Sequence, residues 1–341
     1  MIKLQKQFTE FNNNIQIGDL ADDLREKRDK LKSDIEESLP EECEKYGIEI
    51  SKSDLRFINQ GSYKIGTTIK SPGSVDIDYA VIIPVDIDEH DNPVEIKKSV
   101  KKSLEIANKR VPKIKEPCVT VGYHRYGEEF MHIDFPIYAE YNGFLYLGRG
   151  KEFSINPHWE LADPEGLNEY FLDAFSGKPQ LKRIVRYFKQ WKQEKYGNST
   201  NSNEVPPSVA LTILACEHYQ QFTDEGDDDL SSLYYTAKGI LDSFSVSKDI
   251  YGEITSASIS CYLPVQPYSD VLYKMRKSSS HMILFYKRLS SAVSNLREAV
   301  NISEEHEAAK YIQKVLGSVF EIPEKNAAAA VPANKKEYSF G

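Results

Sequence analysis

The stretch QGSYKIGTTIKSPGSVDIDYAVII, residues 60–83, decides how this chain is read. From Val75 onward it is β-branched and apolar, the composition of a strand. Alternate side chains of a strand share a face, so Asp76 and Asp78 point the same way. Two carboxylates so placed can bind the same one or two divalent ions, and hard oxygen donors suit Mg²⁺. Upstream, Gly61-Ser62 opens a turn or short helix that offers backbone N–H groups and a hydroxyl to a phosphate. Gly-Ser alone is weak; Gly-Ser followed by a strand-borne Asp-x-Asp is much more specific.

A third carboxylate from a neighbouring strand would complete the site. Asp134 is the candidate, mid-strand among apolar residues in FMHIDFPIYA (130–139). A carboxylate there is costly unless it is paired or metal-bound. An Asp on a solvated strand face is the alternative for each of the three taken singly. CVTVGYH (118–124), residues 130–139 and FLYLG (144–148) read as a β-meander. A short strand is expected near 55–59, a loop at SPGS (71–74) and a basic helix over 94–110.

The second half reads as helical. Residues 164–175 have Pro164 at the first helical position after Asp163 as N-cap. Residues 179–197 form a long helix ending at Gly197. Its apolar face is Leu181, Ile184, Val185 and Phe188, and Lys182, Arg186 and Lys189 lie on another face. PPSVALTILACEHYQQF is apolar nearly all round, as in a buried core helix. Further helices are expected over 229–244, 279–300 and 303–318, besides one over 19–38 near the N-terminus.

The chain has 341 residues, which suits one elaborate domain or two joined lobes. No run of apolar residues is long enough to span a membrane, and the N-terminus has no apolar core of a signal peptide. The cytoplasm is the expected location. Cys43, Cys118, Cys216 and Cys261 are scattered without a C-x-x-C pair, which argues against a zinc site or a disulfide framework. Net charge is −9, so a long nucleic-acid partner is not expected and any phosphate site must be a local basic pocket.

Val-Asp-Ile-Asp occurs twice, from Val75 and from Val85. Along one strand the copies would stand about 33 Å apart, and Pro84 marks a strand end. Only the first follows Gly61-Ser62 and enters an apolar strand. Asp86 and Asp88 of the second are expected to be solvated in a polar turn. His132 and Asp134 form a His-x-Asp on one strand face, where His132 is expected to support or pack rather than bind. DEGDDDL (224–230) reads as a solvated loop and helix start, and the lysines after Glu95 as a solvated face.

Residues 60–83 resemble the nucleotidyltransferase signature of the DNA polymerase β-like superfamily, and HIDFPIY is similar to its third-carboxylate strand. More narrowly, the chain resembles the cGAS/DncV-like nucleotidyltransferases (CD-NTases) of bacterial anti-phage (CBASS) signalling. ADPEGLNEYF, LKRIVRYFKQWKQ and PPSVAL carry the resemblance onward, so that it covers about residues 55–320.

The resemblance implies a two-lobed polymerase β-like α/β (α+β) fold: a mixed sheet carrying the acidic triad, plus a helical lobe. The expected boundaries are 1–160 for the catalytic core, 161–325 for the helical lobe and 326–341 for a flexible tail. It implies Asp76, Asp78 and Asp134 as catalytic ligands of two Mg²⁺, with Mn²⁺ as a substitute. It implies Gln60, Gly61, Ser62, Lys189 and Ser208 on the triphosphate of ATP or another NTP. The implied activity is synthesis of a cyclic di- or trinucleotide. A linear 2′-5′-oligoadenylate-type synthase and a transferase modifying a protein or RNA end are the alternatives, and a nucleotide sensor is the non-enzyme one. In some related systems the terminal residue is joined to targets by ubiquitin-like E1/E2-type enzymes, which makes Gly341 a conjugation candidate.

Overall fold

The computed structural model describes residues 3–18, 20–70, 75–107 and 111–325. The SPGS loop, the end of the basic helix at 108–110, and the tail with Gly341 lie outside the described residues.

One mixed sheet organises the first lobe. Its strands are β1 (Arg56–Gln60), β2 (Val75–Pro84), β3 (Lys113–Ile114), β4 (Cys118–Arg125), β5 (Glu128–Tyr141), β6 (Phe144–Arg149) and β7 (His158–Ala162). The order is β1-β2-β5-β4-β3, and β6 joins the far half of β5 and carries β7 at its other edge. β2 and β5 run parallel; the other pairs are antiparallel. The two-residue period of β2 sorts its side chains. Val75, Ile77 and Tyr79 enter the core under α2 (Leu20–Glu44) and α4 (Pro93–Ala107), while Asp76 and Asp78 take the opposite face.

α2 runs past its expected end, through Pro40 to Glu44. Leu24, Leu31, Ile35, Leu39 and Cys43 are all fully buried against the sheet. That continuous apolar stripe outweighs the one backbone hydrogen bond that proline forgoes.

The second lobe contains α5 (Pro164–Phe175), α6 (Pro179–Tyr196), α7 (Ser208–His218), α8 (Asp229–Asp242), α9 (Ser279–Asn301) and α10 (Glu305–Leu316), with a hairpin of β8 (Ser245–Lys248) and β9 (Ile254–Ser258). As expected, Asp163 caps α5, its Oδ1 accepting from Gly166 N at 2.7 Å. The split at residue 160 is not respected by the N-terminus. Helix α1 (Gln5–Ile15) buries Phe8, Phe11 and Ile15 in the helical core, where both phenylalanines lie within 5.5 Å of the Phe320 ring.

Two expectations about charge are corrected. Lys97, read as part of a solvated face, is fully buried on α4. Its ammonium donates to the carbonyls of Glu116 (2.6 Å) and Gly150 (3.0 Å), and burial lowers its pKa to about 8. Asp229, in the acidic run read as solvated, is also fully buried. Its carboxylate accepts from Arg183 (2.7 and 2.8 Å), Tyr187 (2.8 Å) and Gln180 (3.2 Å) of α6. Each cost of burial is met by partners far away in sequence. Three of the cysteines are buried and Cys216 is half-buried, and all four are free thiols.

Candidate active site

Strand register builds the site. Asp78 lies across from Gln60 on β1 and from Asp134 on β5, and Asp76 lies across from His132. Neighbouring strands are about 5 Å apart, so three carboxylates gather on one patch of the sheet. Burial and the charges of Asp76 and Asp134 push the Asp78 pKa up to about 8. A concentration of negative charge of this kind favours a cation among the carboxylates.

Asp134 is held from the side. Thr120 on β4 donates to its Oδ1, and Lys115 Nζ stands 3.5 Å from the same oxygen. His132 Nε2 lies 3.1 Å from Asp76 Oδ1, and its Nδ1 lies 3.4 Å from Glu129 Oε1. The bond to Asp76 raises the His132 pKa.

Gly61 follows β1 with φ +63° and begins the four-residue helix α3 (Gly61–Lys64). A Cβ on Gly61 would sit 2.4 Å from Asp78 Oδ2. Glycine is therefore required twice, by the left-handed backbone and by the closeness of the carboxylate. Ser62 Oγ is 3.0 Å from Thr68 Oγ1, and Gln60 Oε1 accepts from Tyr138 OH at 3.1 Å.

The helical lobe holds this turn from above. Arg186 donates to the Gly66 carbonyl at 2.6 Å, and Asn168 to the Asn59 carbonyl at 3.0 Å. Between the lobes lies a cleft of about 730 Å³. Gln60, Gly61, Ser62, Asp76, Asp78, Lys189 and Ser208 all line it; Asp134 stands behind, outside its lining.

Lys189 differs from expectation. It lines the cleft yet is only 8% exposed, and its ammonium donates to Thr67 O (3.1 Å) and Thr67 Oγ1 (2.8 Å). Burial lowers its pKa to about 7. Lys192, one helical turn further along α6, also lines the cleft and donates to Ser208 Oγ at 2.9 Å. The sequence reading missed Lys192, although its i+3 spacing from Lys189 put both on one helix face. The second Val-Asp-Ile-Asp contributes nothing to the cleft: Asp86 closes a turn with the N–H of Asp88 (2.9 Å), and Asp88 accepts from Tyr141 OH (2.8 Å).

The sheet, its carboxylates and the inter-lobe cleft define a polymerase β-like nucleotidyltransferase fold. Residues 55–138 match the family described as cyclic GMP-AMP synthase DncV-like, nucleotidyltransferase domain. The curated cyclic GMP-AMP synthase of Escherichia albertii is 29% identical over 199 residues, covering 55% of this chain and 41% of that protein. The chain thus matches less than half the length of that relative. Crystal structures of similar fold include Vibrio cholerae DncV cyclic AMP-GMP synthase with nonhydrolyzable GTP, at TM-score 0.70 and 15% identity over 94% of this chain and 97% of that one. The Bradyrhizobium diazoefficiens CD-NTase CdnG in complex with GTP matches at TM-score 0.69 and 14% identity, over 92% and 96%. By its residues 55–138 and its fold, the chain is thus similar to CD-NTases of the cGAS/DncV type. Among the described residues, no helix is long and apolar enough to cross a membrane.

Proposed function

We propose that this protein is a divalent-cation-dependent nucleotidyltransferase that joins NTPs into a cyclic di- or trinucleotide, acting as a cytoplasmic second-messenger synthase in anti-phage defence. The observation that carries the reading is the meeting, in one cleft, of the Gly61-Ser62 turn, Asp76 and Asp78, and the Lys192–Ser208 pair. The relatives named above are a cyclic GMP-AMP synthase, a cyclic AMP-GMP synthase holding nonhydrolyzable GTP and a CD-NTase holding GTP, which supports the same chemistry.

Asp76, Asp78 and Asp134 would hold Mg²⁺. Their hard oxygens and the raised Asp78 pKa fit such an ion. When bound, the ion neutralises triphosphate charge and lowers the pKa of an acceptor hydroxyl. The chain's own groups do the rest. Ser62 and the amides after Gly61 bind phosphate oxygens, while Lys192 and Ser208 hold the outer phosphates and stabilise the departing pyrophosphate. Asp134, across from Asp78 on β5, takes the proton of the acceptor hydroxyl as it attacks the α-phosphate in line. Lys189 works through Thr67, fixing the loop after the Gly-Ser turn. A second transfer within the linear product closes the ring.

The test is incubation with four NTPs and Mg²⁺, followed by phosphatase. Wild-type protein is expected to give a phosphatase-resistant product, and Asp76→Ala with Asp78→Ala to give none. A phosphatase-sensitive product would favour the linear synthase; equal product from the double variant would overturn the site.

A further inference from the structure

We propose that His132 is itself a ligand of the cation site, making it a mixed carboxylate–imidazole centre that prefers Mn²⁺ to Mg²⁺. This rests on the cation reading above and assigns a ligand that the three-carboxylate scheme lacks.

The geometry comes from the parallel pairing of β2 and β5. Asp76 faces His132 directly, and Asp134 follows His132 by two residues on the same side of β5. One donor atom from each of Asp76, His132 and Asp134 can be chosen so that all three lie within 4.8 Å of one another. Ligands of one such ion sit about 2.0–2.2 Å from it, so opposed donors stand about 4.0–4.4 Å apart. Three donors at that limit would stand about 2.8 Å from a central ion, so shifts of about 0.7 Å or less in each side chain would close the three around it. Asp78 lies outside this mutually close set, against Gly61 and the cleft.

The imidazole is oriented as a ligating one would be. Glu129 Oε1 lies 3.4 Å from Nδ1, which directs Nε2 to the carboxylate patch, 3.1 Å from Asp76. A ligating histidine almost always gives its other ring nitrogen to such a partner, which fixes tautomer and ring plane. The ring is mostly buried, with 17% of its side chain exposed, so its direction is set by packing as well. A nitrogen donor shifts the site's preference. Mg²⁺ favours an all-oxygen octahedral shell, while imidazole is accepted by Mn²⁺ and later first-row ions.

The experiment adds Mn²⁺ alone to the full chain and reads the bound ion by pulsed electron paramagnetic resonance. A coordinated imidazole imposes ¹⁴N modulation on the Mn²⁺ echo. The proposal expects that modulation in wild type, its replacement by a ¹⁵N pattern after ¹⁵N-histidine labelling, and its loss in His132→Gln. Glu129→Gln, which leaves the ligand in place, should weaken Mn²⁺ binding about 10–100-fold by calorimetry. The same variant should change Mg²⁺ binding less. Mn²⁺ bound without ¹⁴N modulation, or modulation that persists in His132→Gln, would overturn the proposal. Histidine labelling needs no substitution, so a variant that fails to fold leaves the test intact. If transfer requires Asp76 and Asp78 but no nitrogen coupling is seen, only the His132 assignment fails. Nitrogen coupling without nucleotide transfer would instead sink the proposed activity and keep the ligand.

Discussion

Gly61→Ala separates the two demands that the Gly-Ser turn places on its glycine. The backbone has φ +63°, where a Cβ costs about 1–2 kcal/mol. For a chain of 341 residues that lowers Tm by about 1–3 °C. The added Cβ would also stand 2.4 Å from Asp78 Oδ2, where ordinary contact begins near 3.4 Å. The carboxylate must then retreat by about 1 Å, and a displacement of that size in a catalytic group costs about 100-fold in rate. Gly66→Ala is the matched control. Its φ is +70°, yet nothing lies within 4 Å of its added Cβ. Both variants should show similar losses of Tm in a thermal melt. In a pyrophosphate-release assay with NTPs, only Gly61→Ala should lose about 100-fold in kcat/KM. Equal activity of the two variants would refute the argument that Gly61 is there to make room for Asp78.

Three further predictions follow from the same geometry. Lys192→Met should weaken NTP binding about 10–100-fold, the loss of a charged hydrogen bond, and leave nucleoside binding unchanged; calorimetry with both ligands checks this, and equal losses would contradict a phosphate role. Asp229→Ala leaves Arg183 only the half-exposed Asp227 (2.7 Å) and removes the buried acceptor of Tyr187 and Gln180, and should cost about 1.5–3 kcal/mol in urea unfolding; a cost under about 1 kcal/mol would show that the buried network is not needed. Asp86→Asn with Asp88→Asn should leave nucleotide transfer near wild type, since both side chains serve a turn and Tyr141; a loss matching the Asp76/Asp78 variant would make the second Val-Asp-Ile-Asp part of the site.

Local signals made much of this fold legible. The alternation in β2, the meander and the Pro and Asp at the start of α5 each depend on residues within a few positions of one another. The strand places of Asp76, Asp78 and Asp134 could be read for the same reason. What could not be read depends on contacts between distant segments. Phe8 and Phe11 meet Phe320 across nearly the whole chain, so α1 joins the helical lobe without any local sign. Lys97 and Asp229 sit in charged runs that look solvated, and only the carbonyls of 116 and 150, or the side chains of α6, reveal them as buried. Lys189 meets the loop at Thr67 while Lys192 meets Ser208, contacts between separate segments that no local pattern shows. His132 lies across from Asp76 through strand register, which joins segments more than fifty residues apart.

The central claim is that this cleft converts NTPs into a cyclic oligonucleotide on the Asp76, Asp78 and Asp134 patch. Mass spectrometry of the products made from four NTPs tests it most directly. The account predicts a phosphatase-resistant product with the mass of a cyclic di- or trinucleotide, absent when Asp76→Ala and Asp78→Ala are combined. A product that is only linear, or one that the double variant makes equally well, would contradict it.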